Sequence, residues 1–205
     1  MAGLCGLVLA GRLLASNLGF YLDYSLLGPE DSASGTNWVA LPWVPKDDLQ
    51  TASDLFDDLG GAALVESVAR YVPQTGTMQV YAGAPEGDFP LTPGEGLIVK
   101  MKQTVQYKLI GSHDPRIAVT LAGPETAMNG DNRYAPPYHA KAKTAGALIH
   151  DVGSTFVGTV TRWIAASDSL QTYDGTTGAD FALVPGQSYL LRVNQTVEYV
   201  PTVEP

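Results

Sequence analysis

The sequence predicts a mainly β protein made of two tandem homologous antiparallel modules, each a β-sandwich or barrel-like body with one short helix. Three observations predict it. Identical residues recur in order along both halves of the 205-residue chain. Short apolar or alternating runs, bounded by turn residues, follow one another at the spacing of an antiparallel β protein. Glycine (22) and proline (14) are frequent enough to supply many tight turns.

The recurrence starts at Gly28-Pro29-Glu30, which returns as Gly123-Pro124-Glu125. At the same offset Gly35, Asn37, Ala40 and Pro42 match Gly130, Asn132, Ala135 and Pro137, and Trp43 falls on Tyr138. The offset then shortens slightly. Thr51-Ala52, Leu55, Asp58 and Gly60 match Thr144-Ala145, Leu148, Asp151 and Gly153. After a second small shortening, Arg70-Tyr71 matches Arg162-Trp163, and Gln79, Tyr81 and Gly83 match Gln171, Tyr173 and Gly175. Asp88-Phe89, Leu91, Pro93 and Gly94 match Asp180-Phe181, Leu183, Pro185 and Gly186. Gln103-Thr104-Val105 and Tyr107 match Gln195-Thr196-Val197 and Tyr199. The chain therefore divides into an N-terminal apolar arm (1–19), a first module (20–112) and a second (113–205). The recurring residues mostly fix turns and fill cores, so the repeat preserves a fold and no visible reactive centre.

The arm comes first. No Lys or Arg precedes its apolar run Ala2–Ala10, and Arg12 interrupts it, which argues against a signal peptide. A spanning helix needs about 20 unbroken apolar residues, and Arg12, Asn17 and Asp23 prevent that. Leu4, Leu7, Val8, Leu9, Leu13 and Leu14 have no counterpart ahead of the second module, so the module fold does not require them. Left in water they would be costly, since each buried side chain is worth about 1.5–3 kcal/mol. They are expected to form an assembly contact with a neighbouring subunit, with packing on the chain's own body as the alternative. The lone Cys5 reads as a buried thiol, and a single cysteine excludes an internal disulfide framework.

Each module opens with an extended apolar run, Gly19–Leu27 or Ile117–Ala122. A turn rich in Gly, Ser and Asn leads to Asn37–Trp43, a strand closed by proline. Leu49–Leu59 reads as a helix with Thr51 as N-cap, Leu55, Phe56 and Leu59 on one face and Gly60-Gly61 as the stop. Thr144, Leu148, Ile149, Val152 and Gly153 repeat it. Val65–Val72 alternates as a strand, with Val65, Ser67, Ala69 and Tyr71 facing one way and Glu66, Val68 and Arg70 the other. Thr77–Tyr81 is a further strand, and Leu97–Met101 with Val105–Ile110 completes the module. Between them Pro93-Gly94 and Pro185-Gly186 are expected to be equivalent type II turns, proline presetting φ and glycine accepting positive φ. The count is about six strands and one helix per module.

Asn37-Trp38-x-x-Leu41-Pro42, Thr51–Leu55, Val68-x-Arg70-Tyr71 and Phe89-x-Leu91-Thr92-Pro93-Gly94-Glu95-Gly96 together resemble the repeated β-rich modules of bacterial secreted and surface proteins. The resemblance implies a β fold without a catalytic assignment. It covers most of both halves, with departures where Arg133 stands for Trp38 and Ser188 for Gly96.

The formal net charge of −9, from 12 basic and 21 acidic residues, disfavours nucleic acid as a partner. His113, His139 and His150 form no spaced metal pair, and His113 beside Asp114 reads as a loop hydrogen bond. Asp47, Asp48, Asp54, Asp57 and Asp58 read as a solvated acidic face around the first helix. Calcium is the functional alternative there, but no EF-hand spacing is present. Asp88 and Asp180, each before Phe, suggest Asx-type turns. No Gly-x-Ser-x-Gly elbow and no phosphate loop occurs. Trp38, Trp43, Tyr71, Tyr81 and Trp163 suit either a sugar-stacking surface or core filling. The expectation is thus no catalytic residue, cofactor or metal. The chain reads as a noncatalytic structural subunit of a larger assembly: a virion protein (capsid decoration or capsid-associated) or a surface filament subunit. Its partners would be other protein subunits, with no nucleic acid and no membrane span. The alternative is a secreted or cell-surface ligand-binding module that takes glycans.

Overall fold

The computed structural model describes residues 20–45, 49–112 and 114–204. The first half contains β1 (Phe20–Leu26), β2 (Thr36–Ala40), β3 (Val44–Pro45) and the helix α1 (Ala52–Asp58). β4 (Val65–Val72), β5 (Thr77–Tyr81), β6 (Gly96–Met101) and β7 (Val105–Ser112) follow. The second half contains β8 (Val119–Leu121), β9 (Asp131–Tyr134), the helix α2 (Ala145–Val152), β10 (Val157–Ile164), β11 (Ser169–Tyr173), β12 (Tyr189–Val193) and β13 (Val197–Tyr199). The protein is mainly β, and every strand pairing described is antiparallel.

Two four-stranded sheets run β2-β6-β4-β5 and β9-β12-β10-β11, the same order in sequence-equivalent strands. A smaller sheet accompanies each, β1-β7-β3 in the first half and β8-β13 in the second. Val44–Pro45 pairs with Gly111–Ser112, and the corresponding bridge in the second half joins Ala140 to Val203.

Each half has its own core. In the first, Leu22, Tyr24 and Leu26 of β1 meet Leu55 and Phe56 of α1, Val65 and Val68 of β4 and Leu97, Val99 and Met101 of β6. In the second, Leu148, Ile149 and Val152 of α2 pack on Val157, Val160, Tyr189, Leu191 and Val193. The helices are short, so their ends matter. Thr51 caps α1 in a capping box with Asp54, and Thr144 caps α2 by accepting from Ala147 N–H.

One expectation is corrected. β4 does not alternate from end to end, because its register shifts between Val65 and Ser67. The extra residue, Glu66, lets Val65 and Val68 both face the core. β10 has the same shift between Val157 and Thr159, and Val157 and Val160 are likewise both buried.

The recurring polar residues are engaged in the same bonds in both halves. Asn37 accepts from Leu27 N–H and donates to Leu27 O and Gly35 O. Asn132 does the same with Ala122 and Gly130. Thr104 N–H donates to Glu30 Oε1, and Thr196 N–H to Glu125 Oε1. Tyr107 Oη donates to Asp58, tying β7 to α1, and Tyr199 Oη donates to Asp151 at the end of α2. Arg70 Nε donates to Gln79 Oε1 at 3.0 Å, and Arg162 Nε to Gln171 Oε1 at 2.9 Å. Asp88 and Asp180 do not make the Asx turns expected of them but bond to the helices instead. Asp88 accepts from Ser53 N–H (2.9 Å) and Ser53 Oγ (2.7 Å), and Asp180 from Gly146 N–H (2.9 Å). Both carboxylates satisfy an amide in the first turn of a helix, where N–H groups have no intrahelical partner.

Candidate functional site

The two Pro-Gly turns lie where the halves meet. Glu95 N–H donates to Thr92 O and Gln187 N–H to Val184 O, both at 3.1 Å, closing each four-residue turn. Gly94 has φ +77° and Gly186 φ +85°, the backbone that a type II turn requires at its third residue. The glycine carbonyls then cross to the other half: Ala40 N–H donates to Gly186 O and Ala135 N–H to Gly94 O, both at 2.9 Å. Val39 bridges Gln187, and the equivalent Tyr134 bridges Glu95. Each partner's counterpart makes the reciprocal bond, the pattern of an isologous two-fold interface carried inside one chain.

Both sequence departures lie at this pseudo-axis. A Cβ added to Gly96 would stand 2.5 Å from Ser188 Cβ, so only one of these equivalent positions can carry a side chain. The Arg133 guanidinium lies 3.5 Å over the ring of its counterpart Trp38. One planar cation stacks on one ring where two tryptophans would otherwise meet. The other tryptophans also serve the junction. Trp43 is 2% exposed, sits in the second half's core and donates to Ala135 O at 2.8 Å. Trp163 stacks on Trp38 at 6.1 Å between centroids and donates to Thr36 O at 2.7 Å. Trp38 and Tyr81 are buried as well, Tyr81 packing edge-on to Phe56. Trp43 and Tyr81 fill interiors, while Tyr71 and Trp163 are half-buried and line the junction.

Two clefts flank the axis, lined at equivalent positions. The larger, 430 Å³, is bordered by Arg70, Tyr71, Glu95, Arg133 and the Thr92–Gly94 turn. The smaller, 200 Å³, has Trp163, Gln187, Trp38 and the Val184–Gly186 turn at the matching places. Their electrostatics differ. Gln187 Nε2 donates to Trp163 O at 2.7 Å, and Gln187 Oε1 accepts from Tyr189 Oη at 3.3 Å. In the larger cleft Glu95 Oε2 makes no hydrogen bond within the chain and stands 3.9 Å from Arg70 Nη1. That is an ion pair beyond hydrogen-bond reach. Arg133 Nη1 is also buried without a hydrogen bond. Burial raises the Glu95 carboxyl above its ordinary range against the pull of Arg70 and of a hydrogen bond with the Thr92 side chain. Burial pushes Arg133 down to about 10, so it stays charged at neutral pH. The nearest carboxylate on β9, Asp131, is occupied by Arg192 at 2.7 and 3.0 Å.

The expected assembly residues Leu4, Leu7, Val8, Leu9, Leu13 and Leu14 lie outside the described residues, as do Cys5, Asp47, Asp48 and His113. Among the described residues no group of three His, Cys, Asp or Glu is placed to hold a metal. No helix among them is long and apolar enough to cross a membrane. His139 packs by its ring against Phe20 and Tyr138, away from both clefts. Sequence reasoning found the turns but missed the charged cleft. Its signal was the pair of counterpart exchanges, Trp38 for Arg133 and Glu95 for Gln187. Comparison with known protein families, with characterised proteins and with solved structures gave no match.

Proposed function

We propose that the chain is a noncatalytic structural subunit of a larger assembly, made of two tandem modules (20–112 and 113–205) preceded by an apolar arm. A virion decoration or capsid-associated protein, or a surface filament subunit, is the setting this role fits. One observation carries the reading. The inner sheet edges β2 and β9 are covered by the opposite half, whereas β5 and β11 end their sheets with no further strand partner among the described residues. Met78 and Val80 on β5 and Leu170 on β11 are exposed, Met78 and Leu170 at equivalent positions. An open edge bearing large apolar side chains is a template for another chain. Tyr21 and Ile110, a cross-strand pair on the β1–β7 sheet, add a third exposed apolar site at 57% and 58% exposure, next to where the arm joins. The recurring polar side chains support the same reading, because those traced above hold the fold together.

The test is light scattering of the full chain at rising concentration. It is run beside a chain lacking residues 1–17 and beside the pair Met78→Lys, Leu170→Lys. The full chain should form defined oligomers. The truncated chain and the double variant should stay folded but lose them. A full chain that remains monomeric throughout, or a truncated one that assembles normally, ends the reading. A surface ligand-binding role, extracellular or at the cell surface, is the second reading. The charged cleft is the feature that favours it.

A further inference from the structure

We infer that the 430 Å³ cleft between the halves binds a small hydroxylated carboxylate, with Arg133 receiving the carboxylate and Glu95 accepting from an adjacent hydroxyl. The inference goes beyond the assembly reading and does not depend on it. It rests first on a comparison inside the molecule. The two clefts occupy equivalent places, yet in the smaller one the glutamine at the turn is bonded on both its amide atoms. The larger cleft carries a glutamate and an arginine at the matching positions, and each presents a buried atom with no hydrogen bond within the chain. A buried donor or acceptor left unpaired costs more than a made bond gains. An exchange that keeps both, a donor and an acceptor bordering one cleft, fits a ligand that supplies the complement of each.

Charge selects the class. Arg70 and Arg133 bring two positive charges to the cleft, and Glu95 brings one negative. Glu95 is paired at long range with Arg70, and Asp131, whose charge also acts on Arg133, is hydrogen-bonded to Arg192, so no carboxylate is hydrogen-bonded to Arg133. A guanidinium in that state recognises a carboxylate. Its face is already stacked on Trp38, which fixes its plane, and Nη1 lies buried at the cleft wall without a hydrogen bond. Glu95 Oε2 needs a donor, and a hydroxyl near the carboxylate provides it without adding positive charge. The volume lies within the range of small-molecule sites, about 300–1,000 Å³. A hexuronic acid and a short hydroxy acid share this chemistry.

Binding is read by tryptophan emission, since Trp38 lies under Arg133, and by NMR shifts at Arg133 and Glu95 in the full chain. The probes are D-glucuronate, lactate, D-glucose and acetate. Glucuronate or lactate should saturate the signal. Glucose, lacking the carboxylate, and acetate, lacking the hydroxyl, should each bind about tenfold or more weakly than their counterpart. Arg133→Gln should weaken the preferred probe by about tenfold or more. Glu95→Gln copies the residue of the smaller cleft. It should weaken binding while the melting temperature stays at or above that of the parent, which keeps the test decisive if Arg133→Gln fails to fold. Response by glucuronate but not lactate assigns a sugar acid, and by lactate alone a small hydroxy acid. No saturable response to either, equal responses to glucuronate and glucose and to lactate and acetate, or binding indifferent to Glu95→Gln, overturns the inference.

Discussion

At Gly94 the added Cβ of any other residue would lie 2.3 Å from Val119 Cγ1, on a backbone already at positive φ. Gly94→Val is therefore expected to cost about 1–3 kcal/mol from the backbone alone, with the Val119 clash added. At Gly186 the nearest atom, Tyr24 Cε1, is 3.0 Å away, so alanine there should cost less than alanine at Gly94. Denaturant midpoints of the two alanine variants check the order. Asp168 shows the opposite choice. Among the described residues it is the non-glycine one with positive φ (46°), at the place where the first half has Gly76, and its carboxylate accepts from Ser34 Oγ of the other half at 2.6 Å. The carboxylates set the acid limb of stability. Asp54 is held below its usual range first by the Gln50 amide hydrogen bond. Asp88 and Asp151 are lowered by hydrogen bonds from Ser53 and from Thr202 and Tyr199, which outweigh desolvation. A depressed folded-state value stabilises above the unfolded one, and that contribution is lost as pH falls through the folded value. Stability should fall as pH drops below about 4, and Asp88→Asn with Asp151→Asn should flatten that fall in urea midpoints. Glu95 has the reverse sign: its raised value favours the native state at low pH and costs stability as pH rises through it.

The elements follow local rules wherever one half is enough to satisfy them. Leu55 and Phe56 at helical spacing, the Thr51 cap and the Gly60 stop gave α1 its place, and α1 indeed spans Ala52–Asp58. β2 ends at Ala40, ahead of Pro42 and short of the Asn37–Trp43 strand the sequence suggests, whereas β5 matches the sequence reading at Thr77–Tyr81. The bulges in β4 and β10 were not legible, because alternation alone does not show where a strand takes in an extra residue. Two valines three positions apart, Val65 with Val68 and Val157 with Val160, are the trace they leave in the sequence. Helices of seven and eight residues are too short to persist unaided. Thr51→Ala should thus cost about 1 kcal/mol. Asp88→Ala, which strips the tertiary acceptor from Ser53, should cost a similar amount, about 1 kcal/mol. Thermal unfolding of both single variants and the double reports whether the two devices act on the same turn. Their losses should fall short of additive if they do.

At the scale of the molecule, the fold class was legible and the junction was not. The strands of each half follow from turns and apolar runs within that half, but their order in the sheet does not. The contacts between Ala40 and Gly186, Ala135 and Gly94, and Trp38 and Arg133 join residues 41 to 146 positions apart in ways no local pattern records. What the sequence does hold is three exchanges between counterparts, Trp38 for Arg133, Gly96 for Ser188 and Glu95 for Gln187, which lie at the axis and in the charged cleft. Reciprocal junction contacts, with Trp43 of one half in the core of the other, should make the two halves unfold as one cooperative body. Trp38, Trp43 and Trp163 all lie at that junction, so their emission reports it, while far-UV circular dichroism reports the sheets. Equilibrium unfolding in urea followed by both signals is the most direct test. One transition with coincident midpoints is expected. A tryptophan transition at lower urea, with the sheets still intact, would show modules that separate before they unfold and would contradict it.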